Sequence, residues 1–203
     1  MELPYNLMRL KEVEPPDVLP VDENQEYEIK WNGWRMAVII SLGKVTLLSR
    51  NGTDYTDRFQ EVADDMRSAV SGHRAVIDGE IIREKAGRHD LKTLHQRGGR
   101  LMLCAFDLLE LDGEPLVDEP WHVRRAELEG VSEPQPHAEL PPYFDDQMDA
   151  IDYAIEHGDE GVVSKRRDSR YRQIGNAPNG DWRKMKFETY ERKLRKYNQR
   201  KPK

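Results

Sequence analysis

Six short clusters along this chain carry residue types able to do chemistry. The first is Lys30-Trp31-Asn32-Gly33-Trp34-Arg35. A lysine amine is a nucleophile once deprotonated, and a tight glycine turn beside it lets a phosphate approach the backbone. Ser49-Arg50-Asn51-Gly52 is a turn carrying one arginine. Asp78-Gly79-Glu80 interrupts the apolar run from Ala75 to Ile82, and carboxylates in a buried strand are costly unless they are paired or functional. Phe106-Asp107 repeats that pattern within Leu101–Leu109. Glu160 and Lys165 bracket the small apolar run Gly161-Val162-Val163-Ser164. In Trp182-Arg183-Lys184-Met185-Lys186 the period of a strand puts Lys184 and Lys186 on one face. Taken singly, each cluster is met as well by a plain role: a surface hairpin, core packing, or an edge strand guarded by lysines.

The elements that must position these residues can be read from turn signals and periodicity. Tyr27 to Lys30 reads as a short strand, and Arg35 to Leu42 with Lys44 to Ser49 as a hairpin turning at Gly43. Phe59, Val62, Ala63, Met66 and Val70 keep helical spacing and predict a helix over Asp57 to Val70. Arg74 to Ile82 and Leu101 to Leu108 read as strands, with a turn at Asp112-Gly113. A short helix is expected over His89 to Gln96, and longer ones over Trp121 to Leu128 and Gln147 to His157. Gly161 to Lys165 and Trp182 to Phe187 supply the last strands. Hairpins mixed with helices, without regular βαβ alternation, predict an α+β fold of largely antiparallel sheets.

Composition bounds the function. The chain has 203 residues, 37% hydrophobic and 34% charged, enough for a substantial core. Its longest apolar run, Leu101 to Phe106, falls far short of the roughly 20 residues that span a bilayer, and the N-terminus carries no signal pattern. No membrane partner and a cytoplasmic location are therefore expected. A single cysteine, Cys104, excludes an internal disulfide framework and a Cys-rich zinc site. The six histidines show no metal-ligand spacing. Net charge is −6, but Arg183 to Lys203 holds ten Lys/Arg against Glu188 and Glu191. Lys165-Arg166-Arg167 with Arg170 and Arg172 forms a second basic knot, and such clusters on an acidic body can bind phosphates locally.

The ordered set is more specific than its parts. Together the six clusters resemble the nucleotidyltransferase motifs of ATP-dependent DNA ligases and related capping enzymes, most closely the ligase domains of bacterial end-joining and repair ligases. The resemblance covers about Leu19 to Phe187. It implies a nucleotidyltransferase (ATP-grasp-like) fold: two antiparallel sheets flanked by helices, with the nucleotide in the groove between them. It further implies that Lys30 attacks the α-phosphate of ATP to give a lysyl-AMP. AMP would then pass to the 5′-phosphate of nicked double-stranded DNA, for sealing by the 3′-hydroxyl.

By the same resemblance Arg35 and Glu80 would hold the ribose, and Phe106 would stack on adenine. The backbone near Glu28 and Ile29 would read the purine edge, while Lys165, Lys184 and Lys186 would surround the α-phosphate. Glu80 and Glu160 are the expected ligands of Mg²⁺, or of Mn²⁺ in its place. Arg50 would clamp the 5′-phosphate of the nick, and Gly33 and Asp78 would play supporting parts.

Two departures stand out. Asn32 occupies a place where such ligases nearly always have aspartate, which implies weakened adenylation. An adenylation domain over 1–187, followed by a basic tail over 188–203, leaves no room for the OB-fold that usually follows, so a partner protein is one expected source of that function. The alternatives are a non-catalytic module that binds nicks or nucleotides, and an RNA ligase or capping-type transferase.

Overall fold

The computed structural model describes residues 3–85, 88–89, 94, 99–172 and 178–200. Its strands gather into two sheets. The first runs in the order β1 (Leu10–Glu12), β12 (Asn179–Lys186), β11 (Gly161–Arg166), β2 (Gln25–Lys30) and β10 (Tyr143–Phe144). Neighbours are antiparallel except β1 and β12. The second runs β4 (Lys44–Ser49), β3 (Trp34–Ser41), β5 (Ala75–Lys85), β7 (Arg100–Leu111) and β8 (Glu114–Pro115). On its margins β6 (Arg88–His89) pairs with β5, and β9 (Ala138–Glu139) pairs with β7.

Local sequence explains the connections. The β3–β4 hairpin turns at Leu42-Gly43, both with positive φ (51° and 72°), the backbone that a two-residue hairpin loop requires. Helix α1 (Gln60–Ala69) follows a short 3₁₀ turn over Asp57–Phe59 and presents Val62, Ala63 and Met66 to the core. Helix α2 (Trp121–Val131) begins after Pro120. Helix α3 (Gln147–His157) is capped at both ends. Asp146 accepts the N–H groups of Met148 and Asp149, and Gly158 closes the helix in the left-handed region.

The core is layered. One cluster packs α1 and α2 under the second sheet through Met36, Val38, Leu47, Phe59, Ile77 and Leu103. A second lies between the two sheets and joins Met8, Ala37, Val76, Leu109, Tyr171 and Trp182. Asp107, the third of the costly strand carboxylates, is a structural group: Arg124 of α2 grips it with two N–H bonds of 2.7 and 2.8 Å, and both side chains are fully buried. The same guanidinium donates to the carbonyls of Glu119 and Ser169. A charge pair so buried keeps its geometry because losing either partner costs about 3–5 kcal/mol.

One sequence expectation needs correction, and another falls largely outside the described residues. Residues 188–200, expected as a basic tail, belong to helix α4 (Phe187–Arg200). Phe187 and Tyr190 pack against the core formed by Tyr27, Val162 and Met185, and Lys193 bonds the carboxylates of Glu12 (3.2 Å) and Glu14 (2.7 Å). Phe187, Tyr190 and Leu194 recur at helical spacing, a signal masked by the density of charge around it. The helix expected over 89–96 lies outside the described residues apart from His89, which pairs with Glu84 as part of β6, and Leu94, which is buried. Among the described residues no helix is long and apolar enough to cross a membrane.

Candidate active site

The first sheet presents a patterned face to the groove. Strand register places Lys30 opposite Gly161, which in turn stands opposite Lys186. The next rung is Glu28, Val163 and Lys184, and the third is Glu26, Lys165 and Trp182. Tyr27, Ile29, Val162 and Met185 alternate to the other face and join the core. Period-2 geometry thus separates a chemical face from a packing face on the same three strands.

Gly161 makes this closeness possible. A Cβ there would lie 1.9 Å from the carbonyl oxygen of Met185, so no other residue fits between Lys30 and Lys186. Glu160 stands one position before it. Lys30 Nζ lies 2.9 Å from Glu160 Oε2 and donates to the carbonyl of Trp31 at 2.6 Å. Lys186 bonds the other oxygen, Glu160 Oε1. Burial opposes ionisation of Glu160, but Lys30 and Lys186 outweigh it and hold the carboxyl below the ordinary glutamate range. Burial, together with the positive charges of Lys186 and Lys30, pulls the Lys184 amine below the usual lysine range. Three ammonium groups gathered around one carboxylate make a site that attracts phosphate.

Across the groove stand Arg35, Glu80 and Phe106 of the second sheet. Arg35 pairs with Glu80 in register and aims its guanidinium at Asp78, with bonds of 2.9 and 2.6 Å. It also donates to the carbonyl of Met8 at 2.6 Å. Asp78 is fully buried and additionally accepts the hydroxyl of Tyr171 at 2.7 Å. Most of the donors of Arg35 are thereby committed within the protein. Glu80 Oε1 accepts the N–H of Gly33 at 2.7 Å. Burial raises the Glu80 carboxyl above its usual range, against the pull of Lys30, Gly33 and Arg35. Gly33 is fixed by space, because a Cβ would meet the carbonyl oxygen of Ile81 at 2.2 Å.

Phe106 owes its position to an irregularity. Between β5 and β7 the register runs Asp78 to Asp107 and then Gly79 to Ala105, leaving Phe106 as the extra residue of a bulge. Its ring faces Lys165, whose ammonium lies 4.7 Å from the ring centroid and 4.2 Å from that of Trp182. Lys165 is buried and bonded to the Glu28 carboxylate at 2.7 Å. Burial lowers its amine below the ordinary lysine range even with Glu28 beside it.

A small cavity of about 50 Å³ joins Glu28, Ile29, Lys30, Arg35, Glu80, Phe106 and Lys165. Lys184, Lys186 and Glu160 adjoin it along β12 and at the start of β11. Arg50 lies elsewhere: it is exposed on the turn after β4 and lines a separate, open concavity with Gly33, Arg35 and Tyr55. Asn32 is partly exposed on the connection between β2 and β3. Lys165 stands four residues along β11 from Gly161, hence roughly 13 Å of strand from the Lys30 rung.

Three contributors escaped the sequence reading. Trp31 and Trp182 line the cavity, and Tyr171 locks the Arg35–Asp78 pair. The tryptophans lie inside motifs whose charges are the stronger signal. Tyr171 had no local signal, since its role depends on a contact with a residue 93 positions away.

Comparison with known proteins agrees with this geometry. The family profile "ATP dependent DNA ligase domain" matches residues 17–186. The multifunctional non-homologous end joining protein LigD of Pseudomonas aeruginosa is 34% identical over 172 residues, covering 79% of this chain and 20% of that protein. A DNA ligase of Thermococcus onnurineus is 28% identical and covers 83% of this chain and 33% of its own length. The chain thus spans about a fifth to a third of these relatives. Among solved structures, a mycobacterial DNA ligase D complexed with ATP and MES superposes with a TM-score of 0.75 at 28% identity, over 90% of this chain and 60% of that one. Two sheets meeting at a lysine-bearing groove, with the family profile spanning both, show that the chain belongs to the ATP-dependent DNA ligase family and carries its adenylation domain.

Proposed function

We propose that this domain forms a covalent AMP adduct on Lys30 from ATP and delivers the AMP to the 5′-phosphate of a nick in duplex DNA. One observation carries the reading. Lys30 shares the Glu160 carboxylate with Lys186, at a groove whose opposite wall is Arg35, Glu80 and Phe106. The deprotonated Nζ attacks the α-phosphorus, the P–N bond forms, and the bond to the departing pyrophosphate breaks. Lys184 and Lys186 stabilise the negative charge that accumulates on the phosphoryl oxygens. Phe106 supports adenine, the backbone at Glu28 and Ile29 faces its edge, and Glu80 with the remaining donor capacity of Arg35 takes the ribose. Lys165, held by Glu28, shapes the inner end of the pocket and contributes positive potential from there.

Glu80 and Glu160 fit a Mg²⁺ ion, with Mn²⁺ as the alternative. Mg²⁺ commonly takes one or two carboxylates and completes its shell with water and substrate phosphate. When bound, such an ion supplies charge neutralisation at the triphosphate.

In the second step a 5′-phosphate oxygen of the nick attacks the AMP phosphorus and the P–N bond breaks. The 3′-hydroxyl then attacks the 5′-phosphate and releases AMP. Arg50 shares an open concavity with Gly33 and Arg35, which supports a role for it in holding that 5′-phosphate. Protein charged with AMP from ATP labelled in the α-phosphate, then freed of nucleotide, tests the transfer. Label should move to a nicked duplex bearing a 5′-phosphate and stay on the protein when the nick bears a 5′-hydroxyl. Label that never leaves for nicked DNA, but does leave for nicked RNA, would reassign the substrate.

A further inference from the structure

Between the second sheet and helix α1 lies another cavity, of about 140 Å³. Met66 and Ala69 of α1, Ala105 of β7, Ala138 of β9 and Leu140 give it an apolar lining. Its walls are tied in place. Glu133 N–H donates to the Ala69 carbonyl at 2.9 Å, and His137 N–H donates to the Asp65 carboxylate at 2.7 Å. The segment after α2 is thereby fastened to α1 at two points, which opposes its collapse into the space. An apolar cavity of about 150 Å³ stays dry and accepts a benzene-sized molecule.

One polar group interrupts this lining. Ser132 ends α2 with an extended backbone and borders the cavity. Its Oγ is buried and, among the described residues, has no hydrogen-bond partner. A buried hydroxyl left unpaired is costly, and a ligand hydroxyl relieves that cost. Glu133 is exposed and Glu139 partly exposed, so two carboxylates stand where the cavity meets solvent and disfavour anions.

We propose that this cavity is a binding site for a small neutral phenol, its ring among the alanine and methionine methyl groups and its hydroxyl bonded to Ser132 Oγ. Volume, apolar lining and the orphaned hydroxyl together favour that class. A bare ring leaves Ser132 unpaired, and a ring carrying a carboxylate meets Glu133 and Glu139. The site is separate from the groove: Ala105 lines this cavity, whereas the next residue, Phe106, lines the one that holds Lys30. The inference does not depend on the ligation chemistry proposed above.

Methyl NMR of the intact chain, titrated with phenol, toluene and benzoate, tests this. Phenol should shift the Met66, Ala69, Ala105 and Ala138 methyl signals saturably at millimolar concentration, and benzoate should leave them unmoved. Phenol should bind at least as tightly as toluene, although its hydroxyl has to leave water. Ser132→Ala should weaken phenol about tenfold relative to toluene, the scale of one hydrogen bond to a buried partner. Excess ATP should not displace phenol. Should Ser132→Ala not fold, the order of phenol, toluene and benzoate on the unaltered chain decides. The inference is overturned by the absence of a saturable phenol shift, by phenol binding more weakly than toluene, or by benzoate binding as tightly as phenol. A phenol-to-toluene ratio unchanged in Ser132→Ala, or displacement of phenol by ATP, would overturn it equally.

Discussion

Lys30 and Lys186 share a single carboxylate, that of Glu160, with Lys30 Nζ 2.9 Å from one oxygen and Lys186 bonded to the other. The two lysines come from strands that are not neighbours: β11 lies between β2 and β12, and Gly161 opens the passage between them. Glu160 therefore fixes the distance between Lys30 and Lys186.

Replacing Glu160 with glutamine keeps the size and most of the hydrogen bonding but removes the shared charge. Adduct formation should fall by about two orders of magnitude, the scale seen when one preorganised charge-stabilising group is lost. Stability should respond to pH as well. The Glu160 carboxyl is held below its ordinary value of 4.5 by Lys30 and Lys186, against the opposing effect of burial. Its contribution is present above that ordinary value and is lost as pH falls through the lowered one. Urea midpoints measured across the acid range should show this loss in the unaltered chain and a shallower one in Glu160→Gln.

Glu26 predicts the opposite sign. Burial lifts its carboxyl to about 7, with Arg167 opposing and Asp145 and Glu28 adding to the rise. The folded state thus binds a proton that the unfolded state has released, and stability from this group declines as pH rises from about 4.5 to about 7. Glu26→Gln should flatten that decline and raise stability at pH 8 by on the order of 1–2 kcal/mol, read by chemical denaturation at several pH values. Lower stability of the variant at pH 8 would contradict this.

The buried Lys165–Glu28 pair should behave as a unit. Either Lys165→Ala or Glu28→Ala leaves an uncompensated charge and should cost about 3–5 kcal/mol in unfolding free energy. Changing both, Lys165→Met with Glu28→Leu, should cost less than either alone. Additive losses in the double variant would show that the two charges do not support one another.

Arg50 should divide the two chemical steps. It lines the open concavity outside the cavity that holds Lys30, so Arg50→Ala should retain AMP attachment and lose most transfer to nicked DNA. Equal loss of both steps would place Arg50 at the nucleotide instead.

Much of this arrangement was legible in the chain because strand period and motif spacing carry it. Lys30, Glu28, Lys184 and Lys186 fall on one face by alternation alone, and the β3–β4 hairpin announced itself at Gly43. What could not be read depended on pairing between distant segments. Asp78 and Asp107 look alike as strand carboxylates, yet one fixes Arg35 and the other Arg124, and only the bulge at Phe106 separates their surroundings. The C-terminal helix is hard to read because the seven Lys/Arg of 188–203 suggest solvation, whereas Phe187 and Tyr190 have a core to pack against. For Lys165, expected at the α-phosphate, nothing in the sequence signals the Glu28 carboxylate and three aromatic rings that its register brings around it.

The most direct measurement is to locate the adduct. Protein incubated with ATP and Mg²⁺, digested, and sequenced by mass spectrometry should carry AMP on the peptide containing Lys30 and on no other lysine. The modification should vanish in Lys30→Ala. AMP found on Lys165, Lys184 or Lys186, or an unmodified Lys30 under every metal tried, would contradict the assignment of Lys30 as the nucleophile.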